Sequence, residues 1–270
     1  MKLLFENCKV NNEIDAYLLG FIYADGSITQ ESNNKHYKLS INLSKKDESH
    51  LLKLNEILNG KIINLSSKIK GYDKIYESIR LSKFDVSLVE TLKKLGVNPN
   101  KTYNFGSPQN NVPEHLIHHF IRGIFDGDGT IYCTSSGKYV SGFVGTDENL
   151  FNFIKLHLEK NLKRNIVLKL EKQKYYRILM SGNLLCLELQ KFLYKGSTLF
   201  LERKYNKFKN ITTTNGKNGM IGVAFSPSRK SEKKWIVSYQ FKNKRIYGGI
   251  FLSKEEAEAR LLEMKKLHEQ

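Results

Sequence analysis

Leu18–Ile28 reads LLGFIYADGSI, and Ile121–Ile131 reads IRGIFDGDGTI. Each runs an apolar segment through a glycine into a small residue, an aspartate and another glycine. Gly20 and Ala24 stand four apart in the first copy, as do Gly123 and Gly127 in the second. On a helix, small residues at that spacing share one face and admit a second helix backbone at close range. A glycine inside a helix costs about 1 kcal/mol relative to alanine, so the pattern makes sense if the two helices pack on each other. Their ends then converge. Asp25 and Asp128 come together, each followed by a glycine, Gly26 or Gly129, suited to a left-handed helix exit.

Two carboxylates at the electronegative C-terminal ends of two helices repel each other and oppose both dipoles. A cation between them removes the conflict. Mg²⁺ (or Mn²⁺) is the natural candidate, because a hard divalent ion takes carboxylate and carbonyl oxygens and bridges to phosphate. Paired metal sites clamp the attacking and leaving oxygens of a phosphodiester displacement. A single Asp-Gly is an ordinary turn signal, but two copies at matched positions in a basic, duplicated chain point to chemistry.

Working outward, the lysines of PNKTYNF (Lys101) and ERKYNKF (Lys204) repeat the 103-residue offset that separates Asp25 from Asp128. Each motif is followed by alternating strand-like residues, KLSINLS at 38–44 and YVSGFVG at 139–145. Amphipathic helices then begin near DESHLLKLNEIL and DENLFNFIKLHL. Two more strand-like pieces follow in each half, and each half closes with a helix stopped by glycine, Gly96 or Gly196. The expected fold is α+β, an αββαββα unit present twice, over residues 1–107 and 108–210. Residues 211–219 read as a linker. Residues 220–270 give three short strands and a helix that opens with a capping box from Ser253 to Glu256. That helix carries an apolar stripe at Ala257, Leu261, Met264 and Leu267.

The formal net charge of +17 makes a polyanion the expected partner. Three scattered cysteines, Cys8, Cys133 and Cys186, form neither a disulfide framework nor a CxxC zinc pattern, which suits a reducing interior. No stretch has the uninterrupted apolar length of a membrane span, so an intracellular protein with no membrane partner is expected. His115, His118 and His119 share a helical face but lack an HExxH pattern, and an ordinary helix lead-in after Pro113 is the simpler reading.

The residues LLGFIYADG (18–26) and IRGIFDGDG (121–129) resemble the LAGLIDADG family of homing endonucleases in its single-chain, two-motif form. The resemblance covers about residues 1–210. It implies a pseudo-twofold fold in which two saddle-shaped antiparallel sheets lie over double-stranded DNA, with the motif helices at the centre. The chain would act as a monomer, an internal pseudo-dimer with no small-molecule substrate. It would cut both strands across the minor groove, leaving short 3′ overhangs, as enzymes that spread introns or inteins do.

By carry-over, Asp25 and Asp128 are the metal-binding catalytic residues, and the backbone carbonyls of Ala24 and Gly127 are further ligands. Lys101 and Lys204 fall where the family places basic residues near the cleavage centre, and Lys45 is the first-half candidate for positioning water. The counterpart of Lys45 is Thr146 or, with a one-residue shift, Asp147. Tyr23 stands where Asp126 does, and Asp126 reads as a local structural or helix-interface residue.

The C-terminal segment resembles an AP2-type DNA-binding domain through IGV (221–223), WIVSY (235–239), RIYGGIF (245–251) and EEAEA (255–259). That likeness puts Arg229, Lys233, Trp235, Lys242, Lys244, Arg245 and Tyr247 on or beside DNA-facing strands, making phosphate and base-edge contacts. The alternative from another class is a noncatalytic nucleic-acid binder on the same scaffold, an RNA maturase or a transcription regulator. Retention of both motif aspartates argues for activity and against a decayed enzyme.

Overall fold

The computed structural model describes residues 4–30, 37–68, 75–99, 105–211, 222–226, 230–241 and 244–268. The first motif forms helix α1 (Glu13–Asp25), started by Asn12, whose side chain accepts from Asp15 N, with Glu13 and Asp15 acidic in the first turn. Every residue from Asp15 to Tyr23 is buried, as befits a central helix with neighbours on all sides. The second motif forms α4 (Ile117–Asp128), entered through a 3₁₀ turn at Glu114–Leu116 after Pro113.

The two helices pack face to face along the small residues. A Cβ added at Gly20 would lie 2.2 Å from Phe120 O, and one at Gly123 would lie 2.2 Å from Tyr17 O and 2.6 Å from Phe21 N. Backbone fills the space a side chain would need. The helix exits differ from expectation. Gly26 (φ −76°) and Gly129 (φ −72°) leave in extended, not left-handed, backbone. Glycine is needed there for room instead, since a Cβ at either position would come within 2.5 Å of the carbonyl oxygen four residues back, Ile22 O or Phe125 O. Gly96 (φ +92°) and Gly196 (φ +63°) do stop their helices in positive-φ backbone.

After α1 the chain runs through β1 (Gly26–Gln30), β2 (Tyr37–Ser44), α2 (Glu48–Leu58), β3 (Lys61–Lys68), β4 (Ile75–Phe84) and α3 (Val86–Lys94). After α4 the sequence of elements repeats as β5 (Gly129–Cys133), β6 (Tyr139–Gly145), α5 (Glu148–Leu162), β7 (Leu168–Glu171), β8 (Tyr175–Ser181) and α6 (Asn183–Tyr194). The strand orders are β1-β2-β4-β3 and β5-β6-β8-β7, so the expected αββαββα duplication is present. In the first sheet, Ile28 pairs with Leu39 and Ile41 with Leu81, and all four are buried. Period-two alternation puts Ser40, Asn42, Arg80 and Ser82 on the other face, where Arg80 Nε donates to Asn42 Oδ1 at 2.7 Å.

A further helix, α7 (Glu202–Lys209), follows α6 and was not anticipated. At eight residues it is too short for hydrophobic period to reveal. Ile211, assigned to the linker, is buried, and residues 212–219 of that linker lie outside the described residues.

The chain forms two compact units. One comprises Met1–Thr130, Gly142–Leu179 and Lys191–Tyr205, and holds both motif helices. The other comprises Ile131–Ser141, Met180–Gln190 and Asn206–Gln270. It contains the C-terminal sheet, order β11-β10-β9, from β9 (Gly222–Phe225), β10 (Trp235–Phe241) and β11 (Lys244–Phe251), with α8 (Lys254–His268) packed on it.

The capping box forms as expected, with Glu256 N donating to Ser253 Oγ at 3.1 Å. Val223, Trp235, Val237, Ala257 and Met264 make the core between this sheet and α8. Two expectations are corrected here. Trp235 is 6 % exposed and packs against Phe225 at 4.9 Å between ring centroids, so it belongs to this core and not to an outward, DNA-facing surface. Leu267 is 68 % exposed, and the apolar stripe of α8 ends at Met264.

Candidate functional site

The packing of α1 on α4 carries through to their C-terminal tips. A Cβ added at Gly127 would lie 2.4 Å from Ala24 Cβ and 3.3 Å from Asp25 Oδ2. The Asp25 carboxylate therefore sits directly against the tip of the other motif helix. Asp25 is half-buried and Asp128 exposed, so neither is turned into the interior. Ala24 and Asp128 line a common cavity of about 190 Å³, walled further by Tyr23, Phe143, Thr146 and Asp147.

Lys204, from α7, reaches the same place. It is buried, and its Nζ donates to Phe125 O at 2.7 Å and to Gly127 O at 2.9 Å. Burial pulls its pKa down to about 8, against the opposing pull of the carboxylates of Asp126, Asp25 and Asp128. The charges of all three acids act on the one ammonium group. The Gly127 carbonyl, expected as a metal ligand, is already a hydrogen-bond acceptor for a lysine.

Asp126 is 1 % exposed and accepts from Tyr17 Oη (2.9 Å), Tyr194 Oη (3.1 Å) and Leu201 N (2.8 Å). Burial raises its pKa to about 6, partly offset by the Leu201 N–H and the charge of Lys204. It ties α4 to α1 and to the chain beyond α6, the structural role the sequence assigned to it. Tyr23, its positional counterpart, donates to Asp147 Oδ2 at 2.6 Å, while Asp147 Oδ1 caps α5 through Leu150 N.

Lys45 is engaged by its own neighbours. Its Nζ bonds Glu48 Oε1 (2.6 Å) and Asn64 Oδ1 (2.8 Å), and it lines a separate shallow pocket with Ser66 and Glu77. It does not line the cavity beside Asp128. Lys101, Arg229 and Lys242 lie outside the described residues, and Lys244 opens β11. Lys233, Arg245 and Tyr247 are exposed, Tyr247 to 61 %, and Arg245 Nη2 donates to Ser238 Oγ at 3.3 Å. His115 is exposed, while His118 and His119 bond within the fold. His118 Nε2 meets Lys195 O at 3.2 Å, and His119 Nδ1 accepts from Arg122.

Several residues here escaped the sequence reading. Arg122 is fully buried inside the second motif, donating to Leu199 O (3.1 Å), Leu193 O (3.2 Å) and Glu13 Oε1 (2.8 Å) and lying over the Tyr17 ring. Glu13 also accepts from Thr198 N at 2.6 Å. Arg203 makes a bidentate pair with Asp47 at 2.7 and 2.8 Å, and Glu202 pairs with Lys53. The stretch 198–204 is thereby strapped to α1, α2 and α4, which aims Lys204 at the helix tips. A basic residue in the apolar run IRGIF was the one signal in the sequence that such a network existed.

Among the described residues, no cluster of three or more His, Cys, Asp or Glu side chains is disposed to hold a metal ion. A cation at the tips would rest on two carboxylates and on backbone oxygens. No helix among the described residues is long and apolar enough to cross a membrane.

Solved structures with a similar chain course include the homing endonuclease I-SmaMI bound to uncleaved DNA in the presence of calcium ions. It is 12 % identical at TM-score 0.46, over 74 % of this chain and 89 % of that one. The LAGLIDADG meganucleases I-AabMI (18 % identical, TM-score 0.44, 74 % and 88 % covered) and I-CpaMI (16 %, 0.45, 75 % and 90 %), each bound to uncleaved DNA, are similar to the same degree. No curated protein sequence matches the chain. A family model, the WhiA LAGLIDADG-like domain, matches residues 14–97 and 117–183. These spans take in both motif helices and both four-stranded sheets. With more than half its length matched, the chain belongs to the WhiA LAGLIDADG-like domain family.

Proposed function

We propose that this protein is a site-specific DNA endonuclease that hydrolyses a phosphodiester bond in each strand, using divalent metal held at the tips of α1 and α4. The observation that carries the reading is the placement of the Asp25 carboxylate, whose Oδ2 would stand 3.3 Å from a Cβ added at Gly127 of the opposite motif, beside exposed Asp128. The donor set suits Mg²⁺ (or Mn²⁺), since both side chains are hard oxygen ligands open to solvent. Asp25 and Asp128 would hold the ion, with the Ala24 carbonyl as a further ligand. When bound, the ion supplies Lewis-acid polarisation of a phosphoryl oxygen. Lys204 offsets the negative charge gathered at the tips, and Lys101 is its counterpart in the first repeat.

DNA would be met by the polar faces of the sheets, such as that bearing Ser40, Asn42 and Arg80, under the long-range attraction of a chain at +17. In this reading residues 1–107 and 108–210 are the two halves, and residues 220–270 are an AP2-like module that lengthens the footprint through Lys233, Arg245 and Tyr247. The test is cleavage of a randomised duplex library by the purified protein with Mg²⁺, repeated with Asp25→Asn and Asp128→Asn. Loss of strand cleavage in either variant is expected, and undiminished cleavage in both would refute the assignment.

A second reading, a noncatalytic DNA-binding regulator on this scaffold, is favoured by one observation. The Gly127 carbonyl is already occupied by the Lys204 ammonium, which places positive charge at the tip from the chain itself. A regulator would bind a defined duplex and leave it intact with Mg²⁺ present.

A further inference from the structure

The tip of α4 presents its last carbonyls, Phe125 O and Gly127 O, to one ammonium group, Lys204 Nζ, at 2.7 and 2.9 Å. Lys204 is delivered there by an anchored segment. Leu201 N is bonded to Asp126, Glu202 to Lys53, and Arg203 to Asp47 through both carboxylate oxygens. The lysine is therefore not a surface side chain that happens to reach the tip. It is built into the interior, with three acids, Asp25, Asp126 and Asp128, as its surrounding negative charge.

An ion ligated by Gly127 O at the usual distance of about 2.0–2.6 Å would stand within about 5 Å of that ammonium, whichever lone pair it used. At an effective dielectric near 20, two cations so placed weaken each other's binding by a factor of about a hundred or more. We infer that Lys204 is the resident cation of the second motif, so that the Gly127 carbonyl is not a metal ligand and the tips hold fewer ions than their oxygens could ligate.

The inference rests on the metal reading above and refines it. Removing the ammonium takes from Gly127 O the cation it now faces and from the nearby carboxylates part of their offset, which opens a place for another cation. Lys204→Met should therefore bind one more Mn²⁺ per chain than the wild type, counted by calorimetry and by the loss of the free-ion paramagnetic resonance signal. Equal stoichiometry and equal affinity in the two proteins, with binding abolished by Asp25→Asn and Asp128→Asn, would overturn the inference and leave the metal reading standing. No Mn²⁺ bound by either protein would remove both.

Because Lys204→Met removes a buried side chain bonded to two carbonyls of the α4 tip, a second measurement uses the wild-type chain. The buried Nζ–H resonance of ¹⁵N-labelled Lys204, assigned by its absence in Lys204→Arg, should persist at its starting position through saturating Mg²⁺. A signal that shifts or vanishes as Mg²⁺ binds would mean that the ion displaces the lysine, which overturns the inference.

Discussion

The Tyr17 hydroxyl donates to Asp126 Oδ2 and meets His50 Nε2, both at 2.9 Å. A phenol has one proton to give. With that proton committed to Asp126, the His50 ring donates through Nε2, and burial, holding its pKa down at about 4, keeps the ring neutral above that pH. One hydroxyl thus joins a carboxyl whose pKa is raised to about 6 to a histidine whose pKa is lowered.

These two groups drive stability in opposite directions with pH. Between about 4 and 6 the folded chain keeps a proton on Asp126 that the unfolded chain releases, so this term lowers stability as pH rises. Between about 4 and 6.5 the unfolded chain binds a proton on His50 that the folded chain refuses, so this term raises stability over nearly the same window. Asp126→Asn should steepen the rise of Tm from pH 4 to 6.5, and His50→Gln should flatten it. Calorimetric scans across that range decide the matter, and identical slopes in all three proteins would show that neither group titrates as described.

The α1–α4 contact predicts a contrast between glycines. Gly123→Ala drives a Cβ into backbone of α1, Tyr17 O and Phe21 N, which cannot move without separating the helices, so a loss of about 3 kcal/mol or more is expected. Gly137→Ala meets nothing within 4 Å and is penalised only by its φ of +80°, costing about 1 kcal/mol. Urea titrations of the two variants should separate by at least twofold in lost stability. Similar small losses would mean that the helices are not in contact at the small residues.

The success of that pattern shows where sequence reading has purchase. Gly20, Gly123 and Gly127 announce themselves because a helix tolerates glycine only against close packing, and the 103-residue offset of the aspartates and lysines frames the duplication without any tertiary information. Period and punctuation see one element at a time. They could not show that Trp235 faces α8, because its alternation in β10 fits either face of the sheet. Nor could they show that Arg203 pairs with Asp47, because 156 residues separate the partners. The exits at Gly26 and Gly129 differ from the pattern for a similar reason. The demand on glycine there is space beside Ile22 and Phe125 and not a left-handed φ, and only coordinates distinguish the two.

If Asp25 and Asp128 hold a divalent ion, the ion stabilises the folded chain by mass action. At ten times its dissociation constant the gain is about 1.4 kcal/mol, enough to move Tm by a few degrees in a protein of this size. Mg²⁺ should raise the wild-type Tm and leave Asp25→Asn and Asp128→Asn unmoved, while both variants, altered at half-buried and exposed positions, keep a metal-free Tm near that of the wild type. A matching Mg²⁺ shift in the variants would place the ion elsewhere.

The C-terminal sheet separates a core role from a surface role on neighbouring strands. Trp235, buried with Val223, Val237, Ala257 and Met264, should cost about 3–5 kcal/mol on truncation to alanine and unfold the small sheet. Tyr247, exposed on β11 beside Arg245, should cost less than about 0.5 kcal/mol. If this face meets DNA, Tyr247→Ala and Arg245→Ala should each weaken duplex binding several-fold with Tm unchanged. The Arg245 variant should also flatten the dependence of affinity on salt, since one fewer phosphate is neutralised. Fluorescence anisotropy across a salt series measures both effects. Full affinity and an unaltered salt slope in both variants would take this face off the nucleic-acid surface, whatever the motif helices do.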